Sequence, residues 1–200
     1  MLKETHQKMV YLASRSPRRA ELLQQIGIPF IVLPSDIDET PLWSEMSDQY
    51  VVRLAAEKAQ TCFTKLQIDK ADLHPVLAAD TTVSVDGRIL GKPQDDEDAF
   101  QMLASMSGRW HEVHTGIAVA TEDGVKTALS TTRVEMAQLS DEKIRAYVAT
   151  GEPRDKAGAY GIQGIASTMI KRIEGSYSGV MGLPIYETTM LLAQAGIVVL

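Results

Sequence analysis

Tyr11-Leu12-Ala13-Ser14-Arg15-Ser16-Pro17-Arg18-Arg19-Ala20-Glu21-Leu22-Leu23 runs from an apolar stretch through two hydroxyls into a proline and three arginines. Val10 to Ala13 reads as a short buried strand, and Pro17 fits the first turn of a helix, where its missing N–H has no intrahelical partner to lose. The helix extends to about Ile26, and Gly27 ends it. Ser16 is a good N-cap, and the free N–H groups of such a helix start form a ready anion site. Arginine adds forked donors that match phosphate oxygens. The stretch thus reads as a phosphate-binding strand–loop–helix. A capped surface helix with a solvated basic end accounts for the same residues equally well on local grounds.

Outward from this stretch, helices and strands interleave. Phe30 to Leu33 is a second strand, followed by an acidic loop, Pro34 to Pro41, with Asp36, Asp38 and Glu39. Asp48 is placed to cap a long helix with Val51, Leu54, Ala55, Lys58, Ala59 and Cys62 at helical spacing. Pro75 to Val85 is the clearest strand, and Asp86-Gly87 turns it into a hairpin toward Ile89-Leu90. Helices are expected over Asp95 to Met106, from Ser140 to about Thr150, and over Leu183 to Ala195. Strands are expected over Glu112 to Thr121, Val125 to Ala137 and Ser167 to Ile173. Asp155 to Gly164 is dominated by small residues and reads poorly as ordinary core. The order lacks the regular rhythm of a Rossmann fold, so a mixed α/β class is expected: a long mixed sheet with flanking helices.

Two hundred residues with 44% hydrophobic content suffice for one core, or for two small lobes sharing one. A net charge of −6 argues against a nucleic-acid-coating role. No apolar run reaches the roughly 20 residues of a membrane span. Met1 to Val10 is too short and polar for a signal peptide. One cysteine, Cys62, excludes an internal disulfide and a cysteine zinc site. A cytoplasmic protein with neither membrane nor nucleic-acid partners is the expectation.

Asp80 is the most suspicious carboxylate, because it follows the buried-strand run Val76-Leu77-Ala78-Ala79 and the strand continues past it. An unpartnered charge is costly there, whereas at a cleft it can bind a metal or take a proton. Glu39 with Asp80 would supply the one or two carboxylates magnesium needs when phosphates complete its shell. Lys58, Lys92 in Gly91-Lys92-Pro93, and Lys156 are available cations, each of which alone reads more simply as solvated surface. Gln163 would offer an amide donor and acceptor in a stretch where small residues admit a flat ligand. A tight bend around a packed Tyr160 explains that stretch equally well. His111 and His114, three apart in a strand, point to opposite faces and make no metal pair.

These segments together resemble the Maf family of nucleoside triphosphate pyrophosphatases from about Met9 to Gly196. The resemblance is carried by Ala13-Ser14-Arg15-Ser16-Pro17-Arg18-Arg19, Glu57-Lys58-Ala59, Ala79-Asp80-Thr81, Gly91-Lys92-Pro93, Ser107-Gly108, Asp155 through Gly164, and Gly182-Leu183-Pro184. It implies a fold related to the inosine triphosphate pyrophosphatases, with residues 9–200 as one domain of two lobes around a cleft and residues 1–8 as an extension. It implies hydrolysis of a nucleoside triphosphate to monophosphate and pyrophosphate, with Asp80 as proton acceptor. Arg18, Glu39, Lys58 and Lys92 map onto the phosphate and metal cluster, with Ser14 and Arg19 beside it. A divalent cation, magnesium or else manganese or cobalt, is implied at Glu39 and Asp80, and the family often forms homodimers. Arg18, Thr81 and Gln163 match the branch acting on dTTP and UTP, where the 7-methyl-GTP branch has tryptophan, glutamine and glutamate. The alternatives are that branch, or a nucleotide-sensing regulator of septum formation in which hydrolysis is incidental. Arg15 stands where many relatives carry a small residue; it would face either the phosphates or solvent.

Overall fold

In the computed structural model, which describes residues 9–199, Val76–Val85 forms the central strand β3 of the sheet. The other elements are β1 (Val10–Leu12), α1 (Pro17–Gln25), β2 (Phe30–Val32), α2 (Ser47–Ile68), β4 (Arg88–Leu90), α3 (Asp96–Met106), β5 (Trp110–Thr121), β6 (Gly124–Met136), α4 (Asp141–Val148), β7 (Ile170–Glu174), α5 (Tyr177–Met181) and α6 (Ile185–Gln194). Seven strands make one mixed sheet in the order β2-β1-β3-β5-β6-β7, with β4 added to β3. The pairs β1–β2 and β1–β3 are parallel, and the others are antiparallel. The expected mixed α/β architecture is therefore present. The extension expected over residues 1–8 lies outside the described residues.

Alternation along β3 decides what each residue faces. Leu77 and Ala79, with Ile117 and Val119 of β5, pack on Leu22, Leu23, Leu191 and Leu192 from α1 and α6. Val76 and Ala78, with Ala118 and Ala120, pack instead on Ala55, Ala59, Cys62, Phe63 and Leu66 of α2. A third cluster joins Val83 and Val85 to α3 and α4 through Leu103, Met106, Ile144 and Tyr147. Continuing this alternation, Asp80 points to the α2 side and Thr81 to the α1 side. Gly116 is the register partner of Asp80, and a Cβ there would come within 2.3 Å of the Val51 carbonyl oxygen. Its lack of a side chain lets α2 lie directly on the sheet.

One edge of β3 is shared by two strands. β1 pairs only with Val76 and Leu77, and β4 only with Val83 to Val85. Between them, Ala78 to Thr82 has no strand partner on that side, so the sheet opens at Asp80. Ligand clefts of α/β proteins commonly occur where strand pairing diverges in this way.

Several local expectations are corrected. Met46, not Asp48, occupies the cap position of α2, and Asp48 lies in the first turn, because the helix starts at Ser47. Ser16 holds the cap position of α1 but makes no side-chain capping bond; its own N–H donates to Ser14 Oγ at 3.2 Å. The strand expected from Ser167 begins at Ile170, since Ile165–Met169 winds into a 3₁₀ turn. Helix α5, capped by Ser176 Oγ accepting from Gly179 N, was not anticipated. The Asp155–Gly164 stretch contributes to the core after all, through buried Gly158, Ala159 and Tyr160. A Cβ on Gly158 would sit 2.7 Å from the Val83 side chain, so close packing is what its small residues serve.

Candidate active site

The opening in the sheet leads into a cleft of about 620 Å³. Ser14, Arg18, Arg19, Glu39, Lys58, Asp80, Thr81, Lys92 and Gln163, all the residues singled out from sequence, line it. Their functional groups are not equally free.

Lys58 lies on the buried stripe of α2, one turn beyond Leu54, and its ammonium reaches Asp80 Oδ1 at 2.7 Å and Glu39 Oε1 at 2.6 Å. The Lys58 and Asp80 side chains are 11% and 12% exposed, that of Glu39 55%. Burial pushes the Asp80 carboxyl above its ordinary range, against the opposing pull of Lys58 and Arg19. Asp80 is thus a carboxylate of enhanced basicity at the cleft floor. Glu39 is held from outside: its carbonyl accepts from Tyr50 Oη at 2.9 Å, and Arg53 donates to Thr40 O at 3.3 Å. Arg53 is itself fixed by a fork to Glu45 at 2.6 and 2.7 Å. Neither Tyr50 nor Arg53 stood out in the sequence, where only the Arg53–Glu57 spacing is visible.

On the other face of β3, Arg19 acts as a brace. Its Nε donates to Gly182 O at 2.8 Å, Nη1 to Ser14 Oγ at 3.1 Å and Nη2 to Thr81 Oγ1 at 3.2 Å. Arg19 keeps some exposed surface, yet the atoms crowding its guanidinium hold its pKa below the ordinary value, with Asp80 pulling it back up. Thr81 Oγ1 also contacts Thr115 Oγ1 at 3.0 Å, and that hydroxyl donates to Gly179 O at 2.8 Å. Thr81 thus joins a chain linking α1, β3, β5 and α5.

The opposite wall is made of loops. Arg18 reaches across to Asp155 at 3.7 Å, and Lys156 pairs with the same carboxylate at 2.6 Å. The loop bearing Lys92 is tied to the glycine-rich stretch by Gly158 N donating to Gly91 O at 3.0 Å. Gln163 and Lys92 are exposed at the rim. Arg15 pairs with Asp36 at 2.9 Å, both largely in solvent. His111 and His114 point to opposite faces, as expected, and hold Tyr160 Oη at 2.7 Å and Thr131 Oγ1 at 3.0 Å.

Glu39 and Asp80 turn carboxylate oxygens on one cation, and no group of three His, Cys, Asp or Glu gathers among the described residues. That donor set suits a hard divalent cation that takes one or two carboxylates and draws its remaining oxygens from phosphates. The first turn of α1, without a capping side chain, and the cations Arg18, Lys58, Lys92 and Lys156 suit an extended anion. No helix among the described residues is long and apolar enough to cross a membrane.

Fold and site define an α/β protein with a cation-lined cleft and a buried carboxylate–lysine pair. The family model described as Maf-like protein matches residues 9–195, and the chain belongs to that family. A Methylobacillus flagellatus protein named dTTP/UTP pyrophosphatase is 65% identical over 190 residues, covering 95% of this chain and 94% of its own. One of the same name from Nitrosomonas europaea is 49% identical, covering 94% of this chain and 95% of its own. The solved Staphylococcus aureus Ham1 protein aligns over 65% of this chain and 72% of that one at 18% identity and a TM-score of 0.46, a likeness too slight to bear on the site.

Proposed function

We propose that this chain hydrolyses dTTP and UTP between the α- and β-phosphates, giving the nucleoside monophosphate and pyrophosphate. One observation carries the reading: Asp80, basic through burial, sits with Lys58 and Glu39 at the opening of the sheet, across the cleft from the Gln163 amide. The names and high identity of the relatives support the same substrates.

In this reading Asp80 accepts a proton from water as its oxygen attacks the α-phosphorus. The bond from that phosphorus to the bridging oxygen breaks, and pyrophosphate departs with the electron pair. Lys58 keeps Asp80 oriented, while Arg18, Lys92 and the first turn of α1 neutralise charge on the phosphates. Arg19 and Ser14 shape that turn. Glu39 and Asp80 would hold a divalent cation, magnesium or else manganese or cobalt, which when bound supplies further charge neutralisation at the phosphates.

Gln163 gives the pyrimidine preference a physical basis. Its carbonyl can accept from a uracil or thymine N3–H while its amide donates to O4; cytosine presents the reverse polarity at both atoms. Mismatched edges leave polar groups unpaired and are rejected. A pyrophosphate-release assay across UTP, dTTP, CTP, GTP and 7-methyl-GTP tests the proposal. Turnover concentrated on UTP and dTTP is expected; preference for 7-methyl-GTP, or tight binding without turnover, would overturn it.

A further inference from the structure

Gln163 makes no side-chain hydrogen bond among the described residues, so its aim depends on the backbone that carries it. That backbone enters the 3₁₀ turn Ile165–Met169 through Gly164, which occupies the cap position without a side chain to satisfy the first N–H groups. Glu152, thirteen residues before Ile165, supplies the missing acceptor. Its Oε2 accepts from Ile165 N at 2.9 Å and its Oε1 from Ala166 N at 3.4 Å. A carboxylate at the first turn of a helix is favoured by both the charge-assisted bonds and the local dipole.

The same carboxylate is anchored to the core. Oε1 also accepts from Tyr147 Oη at 2.9 Å, and Tyr147 is 3% exposed within the cluster containing Leu103 and Met106. The Glu152 carbonyl accepts from Lys156 Nζ at 2.8 Å. Both glycines that flank the Gln163 region are shaped to these two side chains. A Cβ at Gly164 would lie 2.4 Å from either Glu152 carboxylate oxygen, and one at Gly161 would lie 2.6 Å from Lys156 Cε.

We infer that Glu152 is a positioning residue for base discrimination, its carboxylate fixing the backbone on which Gln163 reads the pyrimidine edge. The inference rests on the proposed role of Gln163. Backbone held in one place sets the distance and angle at which the amide meets the base edge, so that both of its bonds to uracil or thymine can form at little ordering cost. Displaced, the amide meets the edge through fewer bonds, and the penalty that separates uracil from cytosine shrinks.

Glu152→Gln tests this with little change of shape, because its amide NH₂ must face one of the two backbone donors. Gly164→Ala tests it without touching the carboxylate, by displacing it. In both variants KM for UTP should rise about tenfold, and the UTP-over-CTP ratio of kcat/KM should fall by a similar factor, the scale of one lost charge-assisted hydrogen bond. The kcat for UTP should stay within about threefold, since Asp80 and Lys58 lie across the cleft. A wild-type protein that discriminates alongside variants that discriminate equally would overturn this inference alone. Parallel losses for UTP and CTP accompanied by a lowered Tm would overturn it in favour of a merely structural role. A wild type that treats UTP and CTP alike would overturn the Gln163 reading and this inference with it.

Discussion

On the wall formed by β3, α1 and α2, Asp80, Lys58 and Arg19 stand on regular elements and hold one another by side-chain bonds, whereas on the opposite wall Lys92, Lys156 and Gln163 stand on loops and 3₁₀ turns. The first wall concentrates charge in a nearly dry place, where electrostatic effects are large and errors of placement expensive. The second is more exposed and takes its order from backbone bonds to Glu152 and Gly91. In the proposed reaction, proton transfer would rest on a helix and a sheet, and recognition of the base on loops held by a few backbone bonds.

The largest effect is expected from breaking the first wall. Asp80→Asn keeps the shape and removes the basicity, so pyrophosphate release should fall about a thousandfold, the scale of a lost general base. Because burial raises the Asp80 pKa, its charge is carried at a cost once the pH exceeds that raised value. Calorimetry should therefore give a Tm for Asp80→Asn no lower than that of the parent. The same raised pKa places the acid limb of kcat/KM above the ordinary carboxylate range. Lys58→Met should behave oppositely in stability, leaving Asp80 without its close cation at a cost of about 3 kcal/mol. The double variant should recover most of that loss in denaturant titrations.

The second wall should respond to pH through its support. His111 lies behind Tyr160, and burial lowers its pKa to about 4, so it is neutral in the fold. A folded value below the ordinary 6.5 means that protonation favours unfolding. Stability should therefore fall between roughly pH 6.5 and 4, by up to about 3 kcal/mol, and His111→Gln should flatten that slope in thermal melts. Gln163→Glu is expected to lower kcat/KM for UTP by about 1–3 kcal/mol in transition-state terms with an unchanged Tm. Arg15→Ala, which removes a pair lying in solvent, should alter stability by less than about 0.5 kcal/mol.

Much of this was readable in the chain because burial and charge conflict visibly at a few places. An aspartate inside Val76–Val85 and a lysine on the apolar stripe of α2 each violate their local pattern, and the two violations meet in space. Arg19 was legible as a cation but not as a brace, since its Nε partner, Gly182 O, is 163 residues away. Glu152 left no mark because two of its partners are backbone N–H groups, which every residue but proline possesses. The glycine-rich stretch supported two readings, an approach to a ligand and a bend around Tyr160, and it both lines the cleft and packs into the core. Composition could not separate them, because small residues serve both ends.

Gly116 makes this chemistry vulnerable at a distance. With the Val51 carbonyl pressed against its α-carbon, any side chain there would lift α2 from the sheet and part Lys58 from Asp80. An activity screen would then score a glycine that touches no ligand beside the carboxylates themselves. The thickness of one layer of packing, set by a missing methyl group, would then decide how closely the lysine approaches the carboxylate.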